Sequence, residues 1–158
     1  MVNEIDIPKI SQKNLFGIKN LEIEDINKIL ELAKFFKSKN KEKNKTYPLL
    51  KGQTIINLFF EPSTRTLISF EIAAKRLGAD VINMNIEGSS LRKGETLNDT
   101  AQTIGAMNPD LVIIRHSEDN ASVQIANLLD CPVINAGEGI NEHPTQALLD
   151  AFTIISHK

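Results

Sequence analysis

The pattern of apolar and polar residues divides the chain into two parts near Gly52. Before this glycine, apolar residues recur at helical spacing from 22 to 36, which predicts an amphipathic helix. After it, short apolar runs alternate four times with helical patterns, as is typical of successive strand and helix units in a parallel sheet. We therefore expect an α/β fold, with a parallel sheet of about four strands and helices on both faces.

The predicted strands are mostly continuous apolar runs, which indicates burial on both faces, and they span residues 54–60, 80–85, 111–116 and 132–135. Each precedes a predicted helix, at 64–77, 97–107, 121–129 and 144 to about 156. Gly78 is expected to end the first of these helices, and Thr96 with Asp99 to form a capping box at the next. No strand follows the last helix, so it either packs on the sheet as a terminal element or leads into the rest of a longer protein.

The charge balance argues against nucleic acid or a membrane surface as a partner. Eighteen Lys and Arg oppose twenty Asp and Glu, giving a formal net charge of -2. One basic segment, 37–45, has five lysines and one glutamate and so carries +4 in nine residues. It has no aromatic residue to stack on bases and follows a helix C-terminus, where lysine is favoured. A solvated, mobile connection is therefore preferred over a nucleic-acid arm.

Size and residue counts fit one soluble domain over residues 1–158 in the cytoplasm. The 158 residues can bury a core without disulfides or metal, and 41% of them are hydrophobic. Cys131 is the single cysteine and there are three histidines, which excludes a disulfide scaffold and structural zinc and fits a reducing compartment. The N-terminus lacks the features of a signal peptide, and no window approaches the roughly eighteen apolar residues of a membrane span.

The strongest chemical signal lies directly after the first predicted strand. Ligands of open parallel sheets bind at the carboxyl ends of the strands, where loops enter helix N-termini. There, Ser63, Thr64 and Thr66 place three hydroxyls around the guanidinium of Arg65. An ordinary N-cap with a surface arginine needs only one hydroxyl, so we favour a site for phosphate or another anion. The glycines and the Gly-Lys-Ser/Thr ending of a Walker loop are missing.

Cationic residues also follow the next two strands. Segment 87–95 contains Ser89 and Lys93, and its composition fits a solvated turn as well as it fits a loop that closes over an anionic ligand. Arg115 ends the third strand, either as a charge at the edge of the sheet or as a donor directed into the crevice. His116 has no special spacing and receives no role.

The loop after the fourth strand combines glycines with a histidine. His143 precedes Pro144, which fits the first helical position, so His143 and Gln146 are expected to project from the helix start. Gly137 and Gly139 allow the backbone to approach a ligand closely. No second histidine or cysteine stands at ligand spacing, so we expect no metal site.

Taken together, these loops resemble the carbamoyl-phosphate-binding half of the aspartate carbamoyltransferases. The phosphate motif of that family is similar to residues 63–66 (Ser-Thr-Arg-Thr) with 69–71 (Ser-Phe-Glu) after them. Its second motif is similar to residues 143–146 (His-Pro-Thr-Gln) with 148–150 (Leu-Leu-Asp). The resemblance is strong from Gln53 to Thr153 and implies a Rossmann-like domain.

One loop distinguishes the aspartate branch of that family from the ornithine branch. Ser89 and the run 93–96 (Lys-Gly-Glu-Thr) resemble the aspartate branch. The ornithine branch usually lacks this run and has a cysteine at the position of Thr145. Three positions depart from the usual pattern: Leu67 replaces an arginine, and Glu138 and Glu142 replace Asp and Gln.

The resemblance also implies a role for each site residue. The phosphate group of carbamoyl phosphate is expected to contact Ser63, Thr64, Arg65 and Thr66, with Ser89 and Lys93 reaching it from a neighbouring subunit. The carbamoyl oxygen is expected to contact Thr66, Arg115 and His143, and the carbamoyl nitrogen Gln146. The implied catalytic residues are Arg65, Thr66, Lys93, Arg115 and His143. The implied reaction needs no metal, no cofactor and no covalent intermediate.

The residues that bind L-aspartate lie in a second domain in that family, and this domain is absent from the 158 residues. The resemblance therefore implies a carbamoyltransferase of pyrimidine synthesis of which this chain supplies the carbamoyl phosphate half. It also implies a homotrimer with shared active sites and leaves regulatory chains as an option. Two alternatives stay open: a carbamoyltransferase for another amine such as ornithine, and a non-catalytic phosphate-binding assembly module.

Overall fold

A computed structural model describes residues 7–85 and 96–158, and these form the expected α/β fold. The sheet contains four strands, β1 (Thr54–Phe59), β2 (Asp80–Asn85), β3 (Leu111–His116) and β4 (Val133–Glu138). They are parallel and lie in the order β2-β1-β3-β4. The chain moves outward from β1 to β2 and then crosses back to β3, so the order reverses between β1 and β3. At such a reversal a crevice opens beyond the carboxyl ends of the strands.

Five α-helices surround this sheet in the described part of the chain. They are α1 (Ile23–Lys39), α2 (Thr64–Arg76), α3 (Leu97–Ala106), α4 (Ala121–Ala126) and α5 (Pro144–His157). Helix α2 packs on β1 and β2, α4 on β3 and β4, and α5 on β4, while α1 lies against α5 and α3 against α4. None of the described helices is long and apolar enough to cross a membrane.

The two faces of the sheet bury separate hydrophobic clusters, because successive strand side chains point to opposite faces. One cluster joins Ile56 and Ile114 to Ile104 of α3 and Ile125 of α4, and the other contains Phe59. The expected burial on both faces is confirmed for β1, β3 and β4. It is wrong for β2, where Ile82 is 46% exposed, because this strand lies at the edge of the sheet.

Most predicted boundaries agree with the structure to within about two residues, and three differ by three. Helix α1 continues from Phe36 to Lys39, because the first lysines of the basic segment extend over aromatic rings; Lys37 Nζ lies 4.9 Å from the ring centroid of Phe152. Helix α4 ends at Ala126 instead of residue 129, and β4 continues past residue 135 to Glu138.

The predicted end of α2 and the predicted N-terminal cap of α3 are both confirmed. Gly78 follows α2 with φ +88°, a backbone conformation that favours glycine. At α3, Asp99 N donates to Thr96 Oγ1 at 3.2 Å and Thr96 N donates to Asp99 Oδ2 at 2.9 Å, which is the expected capping box.

Candidate active site

The turn from β1 into α2 presents an open helix N-terminus. Ser63 occupies the N-cap position, but no described side chain caps the helix, because Ser63 Oγ donates instead to Thr66 Oγ1 at 2.9 Å. The first turn contains no acidic residue, and Arg65 within it is exposed. A cation in a first turn opposes the positive end of the helix dipole. This arrangement becomes favourable when an anion binds between the helix amides and Arg65.

Arg115 lies next to this turn, since it pairs in register with Phe59 at the end of β1. Its Nη1 donates to the Ala136 carbonyl oxygen at 3.0 Å, and its Nη2 lies 3.6 Å from Glu61 Oε2. The Nε atom is buried and has no hydrogen-bond partner among residues 7–85 and 96–158. Of the two sequence interpretations, the structure therefore supports a donor held among the ends of β1, β3 and β4.

A bulge in β4 brings Arg115 and His143 together. The pairing of β3 with β4 shifts between Ile114 and His116, so two residues of β4 lie opposite Arg115. One of them is Gly137, with φ +108°. A Cβ atom at this glycine would overlap Arg115 Nη1 and lie 3.2 Å from His143 Cδ2. Glycine is thus required at this position because Arg115 and His143 occupy the space that a side chain would need. The sequence analysis had instead explained this glycine by the close approach of a ligand.

His143 is positioned by the start of α5. It occupies the N-cap with Pro144 at the first helical position, as expected, and its carbonyl oxygen accepts from Ala147 N at 3.1 Å. Its Nδ1 lies 3.3 Å from Thr145 Oγ1. Partial burial, and then the positive charge of Arg115, lower the pKa of His143 below its ordinary value of 6.5. The ring is therefore neutral at physiological pH and offers one N–H donor and one acceptor.

Replacing Arg115 with glutamine is expected to raise the pKa of His143. The change removes the cation that disfavours protonation of the ring, while burial continues to hold the pKa below 6.5. A proton NMR titration of the histidine ring signals measures this shift. An unchanged His143 titration in the variant would show that the two side chains are not coupled.

Of the remaining predicted site residues, the structure describes Gln146 but not Ser89 or Lys93. Gln146 lies in the first turn of α5, but its Nε2 donates along the helix to Asp150 Oδ1 at 2.9 Å. Ser89 and Lys93 lie outside the described residues. The structure thus brings together the 63–66 turn, Arg115 and His143 at one end of the sheet.

Two positioning residues were not predicted from the sequence. Asn135 is fully buried, and its Nδ2 donates to the carbonyl oxygens of Phe16 and Glu142 at 2.8 and 3.1 Å. Glu142 accepts from Ile18 N at 2.6 Å, which ties the N-terminal segment to the residue before His143. A polar residue at the end of an apolar strand was the available signal for Asn135. Among the described residues no group of three or more His, Cys, Asp and Glu could hold a metal ion.

Comparison with known proteins identifies the family of this fold and site. A family model described as the carbamoyl-phosphate-binding domain of aspartate/ornithine carbamoyltransferases matches residues 13–156. The chain belongs to this carbamoyltransferase family. The matched region includes every residue placed in the site, and it confirms the resemblance inferred from the loops.

Individual carbamoyltransferases agree with the family model. The chain is 58% identical over 150 residues to the aspartate carbamoyltransferase catalytic subunit of Pelagibacter ubique, covering 95% of this chain and 48% of that protein. Aspartate transcarbamoylase from Trypanosoma cruzi, solved with carbamoyl phosphate and aspartate, matches with a TM-score of 0.86 and 37% identity over 96% of this chain and 47% of that one. The M. jannaschii catalytic subunit matches with a TM-score of 0.84 and 40% identity over 92% and 47%. The chain thus spans about half the length of the carbamoyltransferases it matches.

Proposed function

We propose that this domain binds carbamoyl phosphate and, as part of a longer protein, catalyses transfer of its carbamoyl group to L-aspartate. The products are N-carbamoyl-L-aspartate and phosphate, as in cytoplasmic pyrimidine synthesis. The observation that carries the proposal is the uncapped, acid-free turn 63–66 facing Arg115 and His143 across the switch point of the sheet. Membership of the carbamoyltransferase family and the aspartate enzymes among the relatives support the substrate and the amine.

The arrangement suits a substrate that combines an anionic phosphate group with a carbonyl group. The phosphate group is assigned to Ser63, Thr64, Arg65 and Thr66, where hydroxyls, helix amides and a guanidinium converge. The carbonyl oxygen is assigned to Thr66, Arg115 and His143, and the carbamoyl nitrogen to Gln146. Glu61 now lies beside Arg115 Nη2, so a bound substrate competes with this carboxylate for the guanidinium.

The chemistry follows from these contacts. The α-amino group of aspartate attacks the carbamoyl carbon, the carbonyl oxygen becomes negative, and the bond from carbon to the phosphate oxygen then breaks. Thr66, Arg115 and His143, the proposed donors, stabilise this charge as it develops, and binding both substrates together lowers the entropic barrier. Neutral His143 donates one hydrogen bond, and the departing phosphate takes the proton from the amine.

The site is proposed to be shared between subunits of a homotrimer. Ser89 and Lys93 are assigned to the phosphate of a neighbouring chain, where a second cation would stabilise the departing group. Two relatives are named as catalytic subunits, and we propose that regulatory chains can join the trimer.

The 158-residue chain is expected to bind carbamoyl phosphate weakly and to carbamoylate no amine. It contains the contacts for one substrate and lacks those for the other. Titration calorimetry with carbamoyl phosphate measures the first result, and a product assay with aspartate and with ornithine measures the second. Absence of binding would remove the proposed site. Robust turnover by these residues alone would overturn the assignment of aspartate binding to a second domain.

A further inference from the structure

A cavity lies at the end of α2 that is remote from the proposed active site. It is enclosed by the C-terminal ends of α1 and α2 and by the segment that contains Tyr47. Helix α2 begins at the phosphate turn and has 13 residues, so the cavity lies about 20 Å from that turn. Carbamoyl phosphate in its proposed position therefore does not reach it.

The wall of the cavity is apolar and partly aromatic. Phe36 and Tyr47 contribute their rings, which meet edge to face with centroids 5.7 Å apart, and Ala73 and Leu77 contribute aliphatic surface. The cavity has a volume of about 200 Å³. This is smaller than the ~300 to 1,000 Å³ of drug-sized sites, but an apolar cavity of about 150 Å³ is enough for a benzene-sized ring. Phe36 and Tyr47 contact each other, so a single planar ring can lie against one of them but not between them.

Positive charge surrounds the mouth of this cavity. Lys39, Lys45 and Arg76 line it, and Glu42 is the neighbouring acid, bound to Lys39 at 2.6 Å. Arg76 Nη1 donates to the neutral amide of Asn40 at 2.6 Å, so this contact leaves the charge of the guanidinium in place. The local excess of positive charge favours an anionic group at the rim.

The basic segment 37–45 thus has a structural context that its composition did not indicate. It contains no aromatic residue, but Phe36 and Tyr47, which flank it in the sequence, pack against each other in the fold. We propose that this cavity binds a small planar ring that carries a phosphate monoester, with the ring against Tyr47 and the phosphate at Lys45 and Arg76. Aryl phosphates and nucleoside monophosphates share this chemistry. A cavity of this size accepts one ring, which favours a small molecule over a nucleic-acid strand.

The test uses the 158-residue chain with Arg65→Ala, so that phosphate binding at the active site is suppressed. Phenyl phosphate and uridine monophosphate are titrated, with phenol, uridine and inorganic phosphate as the partial ligands, and backbone amide NMR signals are followed. We expect either ring phosphate to shift the signals of 39–47 and 73–77, and the tighter one identifies the source of the ligand. The proposal is overturned if neither does so, or if inorganic phosphate binds there as tightly.

Charge variants separate a specific site from general attraction. Lys45→Gln and Arg76→Gln are each expected to weaken ring phosphate binding about two- to fivefold, the range for a partly exposed charge pair. Lys41→Gln removes one charge from the same basic segment but lines a different depression, between α1 and α5, and is expected to leave binding unchanged. Thermal melts confirm that each variant is folded. Equal effects of all three variants would contradict the proposal.

Discussion

Replacing Arg65 with alanine is expected to lower kcat/KM of the longer enzyme about 30- to 900-fold. The guanidinium is proposed to hold the phosphate while negative charge grows on it, and such a charge-assisted contact contributes about 2 to 4 kcal/mol in a transition state. The 158-residue chain provides a parallel measurement, because its carbamoyl phosphate affinity should fall in the same variant. Steady-state kinetics and calorimetry check the two results.

The same substitution should leave the fold intact. Arg65 is exposed in the first turn of α2, where its charge opposes the helix dipole, so alanine costs little when no anion is bound. We expect the melting temperature of the ligand-free variant within a few degrees of the parent, and we expect carbamoyl phosphate to raise it less. A large loss of stability without ligand would mean that Arg65 has a structural role.

Lys75→Ala is the matched control for this prediction. Lys75 lies near the other end of the same helix, 60% exposed and paired with Glu71, so its removal changes the net charge by the same amount. Activity close to the parent is expected. Comparable losses in the two variants would indicate a general charge effect, and near-normal activity of Arg65→Ala would remove this residue from the site.

Much of the fold follows from local sequence signals. The apolar runs of β1 and β3 differ by one residue at most from the observed strands, because buried parallel strands need continuous apolar side chains. The helix end at Gly78 and the capping box of Thr96 and Asp99 involve only neighbours within a few residues. Both features could therefore be predicted from the sequence. The 63–66 turn could also be predicted from the sequence, since its hydroxyls and its arginine are consecutive residues.

The parts that could not be predicted depend on contacts distant in sequence. The extension of β4 to Glu138 requires a bulge opposite Arg115, and the pairing of the two strands determines this. The requirement for glycine at 137 likewise comes from Arg115 on one strand and His143 on a helix. The orientation of Arg115 depends on Ala136 in β4 and on Glu61 in the turn after β1. A pattern of neighbouring residues in the sequence cannot predict contacts of this kind.

The subunit that supplies Lys93 to each site determines whether the active sites are shared between chains. Asn85, the last residue of β2, pairs with Phe59 at the end of β1, so the segment that follows starts one strand away from its own phosphate turn. Adjacent strands are only about 4.8 Å apart. Two arrangements are therefore compared: one in which Lys93 acts within its own chain and one, implied by the family resemblance, in which it acts in the site of a neighbouring chain. Mixed trimers of the longer enzyme distinguish these two arrangements.

Mixing inactive Arg65→Ala and Lys93→Ala variants is expected to restore activity to about one quarter of the parent value. In a cyclic trimer each shared site takes its phosphate turn from one chain and Lys93 from the next. With random equal mixing, roughly one site in four combines an intact Arg65 with an intact Lys93. Activity is measured after dissociation and reassembly, with trimer size checked by light scattering.

Arg65→Ala mixed with Thr66→Ala is the matched control, because both changes affect the same turn of one chain. No site in that mixture has both residues intact, so reassembly alone should restore nothing. Recovery in the control would mean that the variants are not independently inactive. If the Arg65 and Lys93 mixture stays at the level of its separate variants despite native-sized trimers, Lys93 acts within its own chain.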